Sequence, residues 1–214
     1  MDVNVDTSDV RFFLKAVLYN AKRFMDKSVD VYNRMLQLPP EEAQEIRASV
    51  GGSLEKKGDL DGALNSYKKI LETNPNNVVT LFKVGKIYMN MGLLSEAKET
   101  LKRTVMLDKQ IAEAFYLLGS AHFATDENSE ALEAFTKAVE LNPGYADAYY
   151  KIGLVYDARA EYNRAIEAYK KAIAFKPDMV KVYQSLGLAY ESMGMRDEAV
   201  KYLKKSIETT EKTS

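Results

Sequence analysis

The chain has 214 residues, 46% of them hydrophobic, and its 30 basic and 31 acidic side chains leave a net charge of −1. This balance gives no sign of a nucleic-acid-binding surface, and the absence of cysteine excludes disulfides and thiolate metal sites. No apolar run approaches the roughly 20 residues of a membrane-spanning helix. The polar start MDVNVDTSDV is unlike a secretory signal, so we expect a cytoplasmic protein without a transmembrane segment.

The first part of the chain is predicted to contain a flexible N-terminus, residues 1–9, and a helix pair within residues 10–43. Apolar side chains at helical spacing form one stripe on this segment: Val10, Phe13, Leu14, Val17, Ala21 and Phe24. The basic residues Arg11, Lys15, Lys22 and Arg23 lie largely off the stripe. Such a helix can cap the structure that follows, associate with another copy of the chain, or lie on an anionic membrane surface. The sequence leaves these three alternatives open.

From residue 44 the chain repeats every 34 residues, in units 44–77, 78–111, 112–145, 146–179 and 180–213. Position 8 of each unit is glycine: Gly51, Gly85, Gly119, Gly153 and Gly187. Position 20 is alanine: Ala63, Ala97, Ala131, Ala165 and Ala199. This period indicates an array of helix pairs, one pair in each unit.

Steric packing explains the repeated residues. Positions 4, 7, 8 and 11 share one face of the first helix, and positions 20, 24 and 27 share one face of the second. We expect the glycine at position 8 to meet the alanine at position 20, because small residues let helix axes approach to roughly 8–10 Å. Extended backwards, the period places Phe13, Val17 and Val29 at positions 4, 8 and 20. Residues 10–38 therefore resemble a degenerate unit, whose β-branched residues would hold its two helices apart.

Turn-forming residues mark the ends of the helices in each unit. The turn between paired helices is predicted at Gly58, Gly92 and Gly194, with Asp126 and Ala160 at the same position in units three and four. Proline ends the second helices of units one, three and four, because it forces the preceding residue out of the helical region. In unit two Lys109 replaces that proline. We expect either that this second helix runs on or that the joint is looser, with a hinge near residues 108–112.

The period, with glycine at position 8 and alanine at position 20, resembles the tetratricopeptide repeat family over residues 44–211, before a polar tail at 209–214. The resemblance implies an all-α fold, a right-handed superhelical solenoid of antiparallel helix pairs whose first helices line a concave face. It also implies a platform for partner proteins or peptides rather than an enzyme.

Positions 2, 5, 9 and 12 of each first helix lie off the core face and are expected to line the concave groove. The residues that we predict to contact a partner there are Phe82, Lys86, Met89, Tyr116, Phe123, Tyr150, Leu154, Lys181 and Gln184. Aromatic residues and methionine are common anchors of binding hot spots. The alternative is that some of these side chains pack between neighbouring units.

Some members of this family are co-chaperones that clamp a C-terminal carboxylate with lysine at position 5 and asparagine at position 9 of one unit. In this chain the two positions hold Ala48 and Gly52 in unit one and Phe82 and Lys86 in unit two, and none of the five units fits the pattern. We therefore expect no carboxylate-clamp chaperone partner.

Catalytic and cofactor-binding motifs are absent from the sequence: it has no GxGxxG, GxxxxGK[ST], HExxH or GxSxG. His122, the one histidine, stands at position 11, where the other units have leucine or tyrosine. That placement favours a packed ring over a metal ligand or catalytic base. We expect no enzymatic activity, no cofactor and no bound metal.

The order of an atypical N-terminal helix pair, five repeats and a short tail is similar to a magnetosome-associated group of the family. The local likeness is highest in residues 21–36, AKRFMDKSVDVYNRML. This resemblance implies a non-enzymatic scaffold that self-assembles through its N-terminal pair, lies peripherally on the cytoplasmic face of the magnetosome membrane and recruits other magnetosome proteins. The residues alone leave open a monomeric peptide-binding adaptor or a regulatory subunit of another complex.

Overall fold

The computed structural model describes residues 40–213. These residues form ten α-helices and no strand. The helices are α1 (Pro40–Lys56), α2 (Leu60–Thr73), α3 (Val78–Asn90), α4 (Leu94–Leu107), α5 (Ala112–Ala124), α6 (Asn128–Leu141), α7 (Ala146–Ala158), α8 (Tyr162–Phe175), α9 (Val180–Ser192) and α10 (Arg196–Thr213). The apolar stripe proposed for self-association lies outside the described residues, as does the rest of the predicted N-terminal helix pair before Pro40.

Helix α1 packs against α2, and from α4 to α10 each helix packs against the next. The predicted all-α solenoid of antiparallel helix pairs is thus confirmed. The first helices of units two to five have 13 residues and begin at the first residue of their unit. The second helices α2, α4, α6 and α8 have 14 residues each. The chain divides into two compact units, Met1–Thr80 and Leu81–Ser214. All nine predicted groove residues, from Phe82 to Gln184, therefore lie within the second unit.

The first described helix begins earlier than the repeat predicts. Unit one was expected to begin at residue 44, whereas α1 begins at Pro40. Proline suits the first turn of a helix, where its missing N–H has no intrahelical partner, and Glu41 and Glu42 complement the helix dipole there. Position 4 of this unit is Arg47, whose Nη1 donates a hydrogen bond to the Lys69 carbonyl of α2 at 3.3 Å.

The turn residues adopt the conformation that their position predicts. Gly58, Gly92 and Gly194 have φ between 72° and 78°, and Asp126 and Ala160 follow with φ of 59° and 56°. A side chain makes this left-handed region unfavourable by roughly 1–2 kcal/mol, which glycine avoids. Ala160 therefore carries local backbone strain in the turn between α7 and α8.

The expectation that the second helix of unit two runs on past Lys109 is wrong. Helix α4 ends at Leu107, at the same unit position as α2, α6 and α8. Asp108 is extended, with φ −133° and ψ 108°, and its carboxylate accepts a hydrogen bond from the Gln110 N–H at 2.8 Å. This local side-chain turn ends the helix in place of proline. The alternative of a looser joint or hinge near residues 108–112 stays a prediction.

The helix crossing also differs in detail from the expected contact between glycine and alanine. A Cβ built on Gly119 would lie 2.8 Å from the ring of Phe135, at position 24, and 3.1 Å from the Ala131 carbonyl oxygen. On Gly85 it would lie 2.7 Å from Leu101, again at position 24. The glycine thus makes room chiefly for the large position-24 side chain, and the position-20 alanine contributes through its backbone. The reason is that side chains at position 24 reach across the crossing, whereas an alanine side chain does not.

Replacing Gly119 with leucine should lower the free energy of unfolding by a few kcal/mol, because the new side chain enters space that Phe135 fills. Thermal unfolding followed by circular dichroism measures this. Gly52→Ala is the matched control, since its Cβ would meet only the Tyr67 hydroxyl at 3.7 Å. That control should be neutral or stabilising by up to about 1 kcal/mol through helix propensity. Equal melting temperatures for the Gly119→Leu variant and the parent chain would contradict the packing described.

Replacing Ala160 with glycine should raise the free energy of unfolding by about 0.5–1 kcal/mol, because the left-handed strain is relieved. Denaturant unfolding with a shared m-value measures the change. Ala48→Gly, on the exposed side of α1, should instead lower stability by about 1 kcal/mol. Loss of stability in both variants would show that Ala160 is not strained.

Candidate functional site

The predicted groove residues lie on the first helices of units two to five and all keep solvent-accessible surface. Lys181 and Gln184 are exposed. The others are half-buried: Phe82, Lys86, Met89, Tyr116, Phe123, Tyr150 and Leu154. Neighbouring positions 3, 7 and 10 are buried in the same helices, so the accessible positions form a distinct face. We call this set of nine residues the groove stripe.

Ion pairs between successive first helices show that these helices approach each other along the groove stripe. Lys86 Nζ of α3 lies 2.7 Å from the Glu113 carboxylate of α5. Lys181 Nζ of α9 lies 3.5 Å from the Asp147 carboxylate of α7. Both pairs join residues at positions predicted to face the groove. The charges largely neutralise one another, as they do over the whole chain.

Most aromatic rings of the stripe have a cation over one face. The pairs are Lys86 over Phe82 at 5.4 Å, Lys151 over Phe123 at 5.5 Å and Lys181 over Tyr150 at 4.9 Å, from Nζ to ring centroid. Cation–π contacts at exposed sites contribute about 0.5–1 kcal/mol each. They hold the rings in place, so a partner would meet an ordered surface.

Tyr116 forms the centre of the stripe, together with a tyrosine outside it. Its ring lies 5.0 Å from that of Tyr145, the residue that precedes α7. Burial raises the pKa of both hydroxyls, and the nearby Asp147 carboxylate raises them further. Burial also lowers the pKa of Lys151, with a further lowering from Lys181. Both tyrosines therefore stay protonated at neutral pH and remain hydrogen-bond donors.

The inner side of the stripe packs into the core, as the alternative interpretation predicts. Phe82 and Met89 pack against the buried cluster that contains Leu101 and Leu118. Tyr150 and Leu154 pack against the cluster around Tyr169, Val182 and Leu186. The stripe side chains thus contribute to packing between units while each keeps an accessible edge. Partner binding and packing between units are compatible, because a half-buried side chain packs against the core on one edge and is accessible on the other.

Sequence reasoning missed two members of this surface. Tyr145 stands at position 34, where Ile111 and Met179 are the counterparts in the units before and after. This apolar column, repeated at the same period, is the signal that could have identified it. Lys151, at position 6, carries no such signal, because only the approach of α5 and α7 places it over Phe123.

His122 is a half-buried ring held in a polar cluster. Its Nδ1 lies next to one carboxylate oxygen of Glu127, and Lys98 Nζ lies 2.8 Å from the other. These two partners lower the pKa of Glu127 to about 2, with the Lys98 hydrogen bond the larger cause. The cluster joins α4 to the turn between α5 and α6. Within residues 40–213 no three acidic, histidine or cysteine side chains are grouped as a metal site.

Apart from the groove stripe, a hollow of about 900 Å³ is lined by residues of α4, α5 and α6. Its lining includes Met106, Phe115, Leu118 and Leu132, with His122 at one end. Met106 is 70% exposed.

The ten helices of residues 40–213 include no candidate membrane span, since none combines the required length with sufficient hydropathy.

Comparisons with known proteins agree with this architecture. The family model for the C-terminal ARM domain of tetratricopeptide repeat protein 21 matches residues 20–200. A crystal structure of MamA protein has 54% sequence identity and a TM-score of 0.74, covering 79% of this chain and 92% of that one. A second crystal structure of MamA has 55% identity and the same TM-score, covering 77% of this chain and 96% of that one.

A curated relative matches a shorter stretch. The CTR9 homolog of Arabidopsis thaliana is 34% identical over 71 residues, which are 33% of this chain and 6% of that protein. The chain thus spans only a small part of this much longer relative. The family model covers more than half of the chain, and the chain covers nearly all of each MamA structure. This chain therefore belongs to the tetratricopeptide repeat family, within which it is a relative of MamA.

Proposed function

We propose that the protein is a non-enzymatic scaffold that self-assembles and binds other proteins along its groove stripe, at the surface of the magnetosome membrane. The observation that carries the proposal is the identity above one half to MamA over about four fifths of the chain. The magnetosome location rests on the resemblance to magnetosome-associated members of the family. As a helical-repeat protein, the chain has the architecture of a protein-interaction platform.

Binding along the groove stripe is supported by its mixture of apolar, aromatic and cationic groups. Tyr116 and Tyr150 offer rings with accessible edges, and the protonated hydroxyl of Tyr116 can donate to a backbone carbonyl. Leu188 on α9 is 55% exposed at position 9 and extends the apolar surface into unit five. A helix or an extended peptide fits such a surface, with a few aromatic anchors supplying most of the affinity.

Self-association is assigned to the predicted N-terminal helix pair, through Val10, Phe13, Leu14, Val17, Ala21 and Phe24. The sequence supports this because β-branched residues replace the small ones at the predicted helix crossing, so the pair would pack poorly on its own chain. Its basic residues would also favour an anionic membrane surface. Peripheral association with the membrane then needs no spanning helix.

The full chain should form large assemblies, and residues 40–214 should be monomeric, in size-exclusion chromatography with multi-angle light scattering. The truncation keeps Pro40, where α1 begins. Circular dichroism provides the control: the shorter chain should keep the helices of residues 40–213 and the melting temperature of the full chain. If both chains are monomers and the truncation melts lower, the N-terminal pair is a cap and the protein is a monomeric adaptor.

Peptides selected from a random library on residues 40–214 should lose at least about tenfold in affinity when Tyr150 is replaced by alanine, as expected of a hot-spot anchor. Isothermal titration measures the loss. Tyr162→Ala is the matched control, since this half-buried tyrosine begins α8 and is not part of the stripe. Equal losses in the two variants would remove the groove stripe as the binding face.

A further inference from the structure

Three lysines hold their ammonium groups over aromatic rings of the groove stripe: Lys86, Lys151 and Lys181. Two of them also have a carboxylate partner, because Lys86 pairs with Glu113 at 2.7 Å and Lys181 with Asp147 at 3.5 Å. Lys151 has no carboxylate within ion-pair distance among residues 40–213. It is therefore the one cation of this set whose charge the described chain leaves without a counter-ion in contact.

The surroundings of Lys151 are aromatic and only partly open to water. Its side chain is half-buried, and its Nζ lies 5.5 Å from the centroid of the Phe123 ring. Burial is the main cause that lowers the pKa of Lys151, the Lys181 charge lowers this pKa further, and Asp147 opposes the shift. The Lys151 ammonium is thus poorly solvated, and an opposite charge in contact with it would stabilise its protonated form.

The two carboxylates of the same helix, α7, are already engaged elsewhere. Asp147 is the ion-pair partner of Lys181. Asp157, at position 12, accepts a hydrogen bond from the Tyr169 hydroxyl at 3.4 Å. Because neither contacts Lys151, a counter-ion for this lysine has to come from outside the described chain.

A carboxylate of a bound peptide fits this place better than a phosphate does. A carboxylate carries one charge, which Lys151 matches, and the attraction is stronger in a partly desolvated site than in bulk water. A phosphate carries nearly two negative charges at neutral pH, and the Asp147 carboxylate nearby would repel the excess. The stacked rings of Tyr116 and Tyr145, 5.0 Å apart, offer apolar surface to a neighbouring peptide residue.

We propose that Lys151 binds the carboxylate of an aspartate or glutamate side chain within a partner peptide, while an adjacent apolar residue of that peptide packs on Tyr116 and Phe123. This inference rests on the proposed binding along the groove stripe and names the chemistry of the partner. It differs from a clamp for a C-terminal carboxylate, since positions 5 and 9 of unit four are Tyr150 and Leu154 rather than lysine and asparagine. The partner therefore contributes an internal acidic residue instead of a chain end.

The test selects random peptides on the full chain, displayed as fusions whose C-termini are blocked, so that only side chains supply carboxylates. The selected peptides should share an aspartate or glutamate next to an aromatic or aliphatic residue. Replacing that acid with its amide in a synthetic peptide should weaken binding to the parent chain at least about tenfold by isothermal titration, as for a partly buried charge pair. The same replacement should change affinity for the Lys151→Gln chain by less than about twofold, because the pair is already broken.

Lys170→Gln is the matched control. It removes the same charge from a lysine whose Nζ also lies 5.5 Å from a ring centroid, that of Tyr190, outside the groove stripe. This variant should keep the preference for the acidic peptide, and Lys151→Arg should keep most of it. A purely structural role of Lys151 in holding Phe123 would instead weaken the acidic peptide and its amide equally in the Lys151→Gln chain.

The outcomes separate this inference from the groove itself. Peptides that bind through Tyr150 but show no acidic preference on the parent chain would overturn the role of Lys151 and leave groove binding intact, whatever the folding of the variants. An equal loss on the parent and Lys151→Gln chains would overturn it as well, once circular dichroism shows the variant to be folded. Failure to select any peptide that depends on Tyr150 would overturn both this inference and the proposed binding.

Discussion

Where the two helices of a unit cross, the side chain at position 24 occupies the space that a Cβ at position 8 would take. Tyr67, Leu101, Phe135 and Tyr169 are fully buried at this position, and the glycine opposite each of them is what admits them. Glycine in a helix is unfavourable by about 1 kcal/mol relative to alanine. Each unit therefore loses this much helix stability where it buries a large side chain. A buried large apolar side chain contributes about 1.5–3 kcal/mol, which exceeds that loss. The other features of the unit follow from this close crossing.

Close pairing within each unit determines which faces remain for contacts between units and for partners. In units three to five, positions 3, 7 and 10 of the first helix are buried and pack with the preceding second helix, while positions 2, 5, 9 and 12 keep accessible surface. The groove stripe is thus a consequence of packing rather than a separate insertion. Its charges pair across successive helices, as Lys86 does with Glu113 and Lys181 with Asp147. A partner must therefore gain affinity mainly from the aromatic and apolar groups, since surface ion pairs that already exist contribute little.

The same packing rule explains why equivalent side chains differ in exposure. Val200 and Ile207 of α10, at positions 21 and 28, are 50% and 60% exposed, whereas Ile166, at position 21 of unit four, is 6% exposed. Ile166 is buried because it packs in the cluster that includes Val182 and Leu186 of α9. The burial of a second helix therefore depends on the first helix that packs against it.

The sequence alone predicted the helix pairs and the positions of the turns between them, because a 34-residue period constrains the packing at every position of the unit. Helical spacing also separated the accessible face that carries the groove stripe from the buried core face. Which side chain opposes each glycine follows only from the packed helices, because the reach of Phe135 across the crossing depends on how the helices approach. The same holds for Lys151 over Phe123 and for the Asp108 turn that ends α4 without proline. These contacts depend on distances between helices or on the conformation of a single side chain. The 34-residue repeat pattern predicts neither.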